Sequence, residues 1–297
     1  MVYDCIIIGG GIAGLQAAIQ LGRYQHNVLV LDDGKGRSSI CHCYHNLLGW
    51  PDGVSGEKLR SIGKAQAGKL GVQFENHRVE AVRKVEEQFC VTTTSQEYLG
   101  KRLLLSTGIK DNIPHFPGLI PCLGISVFVC PDCDGYEILD KPALVIGSGN
   151  AGASMALTLT YWTSALTFIN HGKGEVDASL KEKLVEKSIT LLSDEIKEIH
   201  TDHDCFKGVT LTNGERIDSS YAFLALGGNK PNTELALQLG VQLEDNKHIL
   251  VDPRTKMTAV ENVWAAGDIT VHSEQAAIAM GDGIQAAIWI HKSLLEN

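Results

Sequence analysis

The chain lacks any apolar run of the roughly 18–20 residues needed to cross a bilayer as a helix, which excludes a helical membrane span. Positive charge is also sparse: 26 Lys and Arg stand against 35 Asp and Glu, a formal net charge of −9, and nowhere do five or more cations cluster. A nucleic-acid-binding surface needs concentrated positive charge, so that class is excluded too. The N-terminus shows neither the basic region nor the small-residue cleavage site of a signal peptide, and the expected location is the cytoplasm. Arginine is missing altogether between Arg102 and Arg216. What is present is an ordinary soluble-enzyme composition, 44% hydrophobic and 21% charged over 297 residues. That length suffices for two domains, each burying its own core.

Eight cysteines (5, 41, 43, 90, 122, 130, 133 and 205) could suggest a disulfide framework. In a chain of this size without a secretion signal they are expected to be reduced, apart from a catalytic pair. Cys5, Cys90 and Cys205 lie in or beside apolar strand-like stretches and are read as buried, inert thiols.

The hydrophobic pattern predicts a strand over 3–9, a glycine turn, a helix over 15–25 and a buried parallel strand over 27–32, which together form a βαβ unit. The unit recurs at 143–146, 147–152, 153–162 and 166–169. After the first unit, segments 77–85, 89–94 and 102–106 read as a small antiparallel sheet. After the second, 189–192, 196–201, 208–212 and 221–226 read likewise, with Asn213-Gly214 as a hairpin turn. A short strand and turn over 263–268 and a closing helix over 276–295 return to the first domain. The expected fold class is α/β, with two Rossmann-like dinucleotide-binding domains, the second inserted in the first. The expected boundaries are 1–112 with 245–297 for the discontinuous domain, and 113–244 for the insertion.

Gly9, Gly11 and Gly14 form a Gly-x-Gly-x-x-Gly loop between strand and helix. There, glycines permit a tight turn and close approach of a pyrophosphate to the helix N-terminus. Asp32, 23 residues after Gly9, is the expected acceptor for ribose hydroxyls. The loop alone does not distinguish FAD from NAD. A second such loop comprises Gly147, Gly149 and Gly152.

Cys130-Pro131-Asp132-Cys133-Asp134-Gly135 is a Cys-x-x-Cys pair at an expected helix start, where thiolate is favoured. Pro131 would restrict the intervening loop, Gly135 would allow close backbone approach, and Asp134 is placed to protonate a leaving thiolate. Half of a zinc site is the alternative. The other dense group, Cys41-His42-Cys43-Tyr44-His45, has the wrong spacing for a ribbon or finger, so no metal is expected. Trp50, Tyr161 and Trp162 are read as packing residues, and Trp289 as core or as a dimer face.

With these motifs in hand, the chain resembles the low-molecular-weight thioredoxin reductases over nearly its whole length. The matching elements are Gly9–Gly14, Ser106-Thr107-Gly108, Cys130–Gly135, Gly147–Gly152, Ala225-Leu226-Gly227, Pro231-Asn232-Thr233, Ala266-Gly267-Asp268 and Gln275-Ala276. The resemblance implies an FAD-dependent disulfide oxidoreductase and a homodimer. FAD would be held by Gly9, Gly11, Ile12, Ala13, Gly14, Asp32, Thr107 and Gly108. Gly267-Asp268 would meet the ribityl–phosphate segment and Gln275-Ala276 the flavin ring. It further implies that Cys133 lies next to the flavin, that Cys130 exchanges with a substrate disulfide and that Asp134 is the acid. The partner would be a thioredoxin-like protein or a small dithiol or disulfide.

The chain departs from the family where NADPH would bind. The family carries a His-Arg-Arg run and a further arginine after the second strand of that unit; here the sequence is Asn170-His171-Gly172-Lys173-Gly174. Asn170, 23 residues after Gly147, is neither the acid suited to NADH nor a cation for the 2′-phosphate. The expected donor is therefore something other than NAD(P)H, such as ferredoxin. Open alternatives are an oxygen-dependent dithiol oxidase of the gliotoxin or holomycin type, an ordinary NAD(P)H-dependent thioredoxin reductase, and a non-catalytic flavin redox sensor. Those oxidases typically carry His after the second cysteine, where this chain has Asp134 as the reductases do. By the same resemblance the Cys41–Asn46 loop runs close to the flavin, where it could hold a secondary redox pair, tune the flavin or shape a substrate pocket, with His42 or His45 as a base. Because a Cys-x-Cys disulfide is strained, pocket-lining is the preferred reading.

Overall fold

A computed structural model describes residues 1–296. The chain begins with strand β1 (Val2–Ile8), helix α1 (Ile12–Arg23), strand β2 (Val28–Leu31) and helices α2 (Arg37–Ile40) and α3 (Gly56–Gly68). Strands β3 (Gln73–Glu75), β4 (Val79–Val85), β5 (Gln88–Thr93), β6 (Glu97–Leu105), β7 (Ile109–Lys110) and β8 (Val127–Phe128) follow. Helix α4 (Pro131–Asp134) precedes β9 (Ala143–Gly147), α5 (Gly149–Leu159), β10 (Leu166–Asn170), α6 (Ala178–Glu186) and β11 (Thr190–Leu192). Then come β12 (Ile196–Asp202), β13 (Cys205–Leu211), β14 (Arg216–Asp218), β15 (Ala222–Ala225) and β16 (Lys230–Pro231). Helix α7 (Glu234–Gln238), strand β17 (Val263–Ala265) and helix α8 (Ala276–Leu295) follow, and short 3-10 turns lie at Ile120–Cys122 and Gly135–Ile138.

Two compact units form. The first comprises Met1–Ser39, Gly56–Lys110 and Lys230 onward; the second comprises Ile40–Ser55 and Asp111–Asn229. In the first, a 7-stranded sheet runs β3-β2-β1-β6-β5-β4, with β17 also on β6. Alternation along each strand feeds two cores. Ile6, Ile8, Leu29, Leu31, Leu103 and Leu105 face one side. Cys5, Ile7, Val28, Val30 and Leu104 face the other, against α1 and α8. These two helices approach closely because Gly283 carries no Cβ, which would collide with the Ala13 carbonyl.

The second unit repeats the parallel order as β11-β10-β9-β15-β8, beside a separate antiparallel sheet β12-β13-β14. Leu144, Ile146, Ile169 and Leu224 pack towards that antiparallel sheet. Val145, Phe168 and Phe223 pack on the opposite face with Ala153 and Ala156 of α5.

The structure corrects several expectations. Segments 77–106 do not form a sheet of their own. The long strand β6 pairs antiparallel with β5 through residues 97–100 and parallel with β1 through residues 99–105, fusing the hairpin to the main sheet. Segments 189–192 and 221–226 belong to the parallel sheet, where β11 pairs with β10 and β15 with β9. The Asn213-Gly214 hairpin turn forms, but it joins β13 to the short strand β14 rather than to segment 221–226. Cys205 is exposed rather than buried, since it opens β13 at a loop. Tyr161 is 84% exposed, because α5 ends at Leu159, before it. Trp289 is half-buried against the α1–α8 core, with the charged ends of Arg254 and Lys292 over its ring.

Candidate active site

In the first unit the candidate cofactor residues gather at the carboxyl edge of the parallel sheet, where open α/β sheets bind ligands. Gly9 lies at φ +105°, and a Cβ on it would collide with the Ser106 carbonyl. A Cβ on Gly14 would collide with the Gly9 carbonyl, so the turn requires both glycines. Gly11 is the N-cap of α1 and supplies no side-chain cap, so the N–H groups of the first turn, from Ile12 and Ala13 onward, have no side-chain acceptor at the cap. A Cβ on Gly11 would meet nothing closer than Ser38 Oγ at 3.9 Å, so the face above the turn is open. Asp32 accepts the Gly10 N–H at 3.0 Å and pairs with Arg60 Nη2 at 2.7 Å.

Thr107 and Gly108 are fixed from Asn232. Thr107 Oγ1 donates to the Asn232 carbonyl at 2.7 Å, Asn232 Nδ2 donates to the Thr107 carbonyl at 2.8 Å, and the Asn232 N–H donates to the Gly108 carbonyl at 3.0 Å. Gly108, at φ +64°, has no other atom within 4 Å of a notional Cβ.

Asp268 pairs with Arg37 Nη1 at 2.9 Å, and the same nitrogen reaches Glu274 at 2.7 Å. Burial pushes the Asp268 carboxyl above the usual range, with Arg37 opposing. Gln275 is the N-cap of α8, whose first helical residue is Ala276. The turn at Gly267 is held by Asp282 of α8, which accepts the Gly267 N–H at 3.2 Å and pairs with Lys256 at 2.8 Å and with His272. An open glycine turn, a helix start without a side-chain cap and a buried carboxylate suit the phosphates and hydroxyls of a dinucleotide. Sequence reading did not single out Arg37, Arg60, Lys256, His272 or Asp282; their spacings carry no motif.

The second glycine loop differs in what occupies it. Asn170 Oδ1 accepts the Gly149 N–H at 2.9 Å, and its Nδ2 donates to the Gly174 carbonyl at 2.9 Å. Ser148 Oγ accepts the Gly174 N–H at 3.2 Å. A notional Cβ on Gly172 or Gly174 would lie 2.5 or 2.6 Å from Ser148 Oγ, so the chain after β10 lies directly against the turn. Lys173 pairs with Glu195 at 2.9 Å. His171 Nδ1 accepts the Ile196 N–H at 2.9 Å. Gly152 makes room for the Phe168 ring. A cavity of about 190 Å³ is lined by Ala151 and Met155 of α5 together with Leu224 to Gly227, Asp111 and Asn229. That is below the roughly 300–1,000 Å³ of ordinary small-molecule pockets.

The dithiol also belongs to the second unit. Cys130 and Cys133 are joined as a disulfide and half-buried. Cys130 is the N-cap of α4, with Pro131 at the first turn, and its sulfur accepts the Cys133 N–H at 3.2 Å. That donor would stabilise a Cys130 thiolate. The close approach at Gly135 is made by the Trp162 ring, 2.7 Å from a notional Cβ.

The Ile40–Ser55 segment packs in this unit. Tyr44 and Val54 exchange backbone hydrogen bonds at 2.8 and 3.1 Å, and the His42 N–H donates to the Leu123 carbonyl at 3.0 Å. Gly124 leaves room for the Cys43 backbone, 2.9 Å from a notional Cβ. His45 Nδ1 thereby comes within 3.6 Å of Asp134, whose side chain is 13% exposed. That is an ion-pair approach rather than a hydrogen bond, and His45 Nδ1 is buried with no hydrogen-bond partner. Burial pushes the Asp134 carboxyl up, with His45 opposing. Asp134 in turn raises His45, against burial. Burial lifts the Cys41 thiol to about 12, so it stays protonated. Among the described residues no three or more His, Cys, Asp or Glu are grouped to hold a metal ion, and no helix is long and apolar enough to cross a membrane.

The fold and site define a flavin-type disulfide oxidoreductase architecture, and comparison with known proteins agrees. Residues 3–283 match the pyridine nucleotide-disulphide oxidoreductase family. The thioredoxin reductase of Mycolicibacterium smegmatis is 30% identical over 308 residues, covering 100% of this chain and 98% of that protein. The crystal structure of HlmI superposes with a TM-score of 0.88 at 26% identity, covering 99% of this chain and 93% of that one. A putative thioredoxin reductase from Bacillus anthracis superposes with a TM-score of 0.85 at 27% identity, covering 99% of both chains. The chain belongs to the pyridine nucleotide-disulphide oxidoreductase family. Within it, the chain is a thioredoxin reductase-like, FAD-dependent disulfide oxidoreductase.

Proposed function

We propose that the protein is a disulfide reductase in which Cys130 and Cys133 carry electrons from FAD to a thioredoxin-like protein or a small disulfide, with a donor other than NAD(P)H, such as reduced ferredoxin. The first unit would be the FAD-binding domain and the second the inserted domain carrying the dithiol, in a cytoplasmic homodimer. FAD, when bound at Gly9–Gly14, Asp32, Thr107-Gly108, Gly267-Asp268 and Gln275-Ala276, supplies or accepts an electron pair.

The chain's own chemistry is thiol–disulfide exchange. Cys130 thiolate attacks one sulfur of the substrate disulfide; the new Cys130–substrate bond forms as the substrate S–S bond breaks. Asp134 gives a proton to the departing sulfur. Cys133 then attacks Cys130, closing the protein disulfide and releasing the second substrate sulfur.

The observation that carries the donor assignment is Asn170. Its amide takes the Gly149 N–H that a pyrophosphate would use, while Glu195 occupies Lys173, the one cation of the turn. Loss of bidentate arginine contacts weakens 2′-phosphate binding further. The same feature favours a second reading, an oxygen-dependent dithiol oxidase in which the exchange runs in reverse, because neither direction then needs a nicotinamide.

The test is anaerobic mixing of the yellow holoprotein with NADPH, NADH, reduced ferredoxin or a small dithiol while flavin absorbance is followed. Bleaching by ferredoxin and not by NADPH is expected. Rapid bleaching by NADPH sinks the donor assignment. Bleaching by a dithiol alone, with peroxide on admitting air, selects the oxidase; slow turnover with every partner selects a redox sensor.

A further inference from the structure

The Cys41–His45 segment has no role in the chemistry described so far, yet it is fastened at several points to the dithiol unit. The Tyr44–Val54 bridge, the His42–Leu123 hydrogen bond and the glycine at 124 fix its path. Its cysteines are poor candidates for a second exchange pair. Cys41 is held protonated by burial, and its sulfur donates to the Cys43 carbonyl at 3.3 Å. His45 is different. Its ring stands edge-on to Phe128, with centroids 6.5 Å apart at 73°, and its Nδ1 lies 3.6 Å from the Asp134 carboxylate with no other partner. The charged and titratable groups that face this pair are Glu137 and the thiols of Cys41 and Cys43.

We infer that His45 is a positioning residue for Asp134: the two share one proton, so that Asp134 still has a proton to deliver at a higher pH than a lone carboxyl would. This rests on the reading of Asp134 as the acid of the exchange. A buried carboxylic acid without a basic neighbour would lose its proton in one step, at its own pKa. A carboxylate and an imidazole at ion-pair distance titrate as a pair, and the last proton leaves in an upper step that belongs to both. In the reductive direction that proton passes to the departing substrate sulfur when Cys130 attacks. The pair recovers a proton from the Cys133 thiol as Cys133 attacks Cys130. The second substrate sulfur leaves as thiolate and takes from solvent the proton that Cys130 gave up on ionising, so two thiols of the protein are exchanged for two thiols of the substrate with no net proton gained or lost.

The experiment needs no physiological donor. Holoprotein is reduced with dithionite, mixed in a stopped-flow instrument with hydroxyethyl disulfide, and flavin reoxidation is followed from about pH 5 to 10. In the wild type the rate rises as Cys130 ionises and falls as the shared proton is lost. His45→Gln should move the falling limb to lower pH by about one unit or more, because the upper step of the pair is replaced by the single ionisation of the carboxyl. The maximal rate should stay within a few-fold. Asp134→Asn removes the acid itself and should depress the rate across the range and abolish the falling limb. If His45→Gln weakens folding or FAD retention, His45→Asn, which keeps a polar atom near the Nδ1 position, is measured in its place. A falling limb unmoved by either His45 substitution, whatever the rate, overturns the role of His45 and leaves that of Asp134 intact. A wild-type rate in Asp134→Asn overturns the Asp134 reading and this inference with it.

Discussion

Asp282→Asn probes how α8 holds the Gly267 turn. The Asp282 side chain is 6% exposed and pairs with both Lys256 and His272. Removing one partner of a buried pair costs about 3–5 kcal/mol. Lys256 and His272 keep 15% and 17% exposure, and partial hydration reduces the expected loss to about 2–3 kcal/mol. At roughly 2–4 °C per kcal/mol, Tm of the holoprotein should fall by about 4–12 °C.

The deficit should also depend on pH. Burial works to raise Asp282, but His272 and Lys256 outweigh it, so its carboxyl is held below the ordinary 3.8. A lowered pKa stabilises above the unfolded value, and that stabilisation disappears as pH falls through the folded value. Asp282 raises His272 above the ordinary 6.5, against burial. A raised pKa stabilises fully below the unfolded value and is lost as pH rises through the folded value. The gap between wild type and variant should therefore be widest between about pH 4 and 6.5 and narrow on both sides. Thermal melts followed by tryptophan fluorescence across this range read it directly. A Tm within about 1 °C of wild type, or a gap independent of pH, would refute the reasoning.

Other outcomes follow from the site. Cys133→Ser should keep FAD bound while abolishing disulfide exchange; loss of flavin absorbance from the purified variant would mean that the dithiol is structural. Asn232→Ala removes the side-chain bond from Nδ2 to the Thr107 carbonyl, while the two bonds made by the Asn232 backbone remain; it should weaken FAD retention by about 1 kcal/mol, a several-fold rise in Kd by fluorescence titration. Cys41→Ser should leave disulfide turnover within about two-fold of wild type, because burial holds that thiol protonated; a large loss would assign Cys41 a part in the exchange.

Local signals announced much of this molecule. The βαβ units were legible because strand, glycine turn and helix are contiguous, and the final helix runs over 276–295 as its pattern indicates. The reach of β6 was not. Its residues 97–100 pair with a neighbour in sequence and residues 99–105 with β1, far away, so its alternating pattern resembles that of an isolated hairpin. Cys205 and Tyr161 misled for a related reason: an apolar neighbourhood in sequence does not reveal which residue stands at an element's end. The pairing of Asp32 with Arg60 and of Asp134 with His45 joins residues remote along the chain, beyond any spacing rule. The departure at Asn170 was visible as a missing acid and missing arginines. What the fold adds is that the asparagine amide and the following glycines are turned onto the loop itself.

The central claim is that Cys130–Cys133 exchanges electrons with the flavin. Anaerobic dithionite titration of the holoprotein tests it most directly. The wild type should take up one electron pair more per flavin than Cys130→Ser/Cys133→Ser before the flavin is fully bleached. Equal uptake by the two proteins would contradict the account.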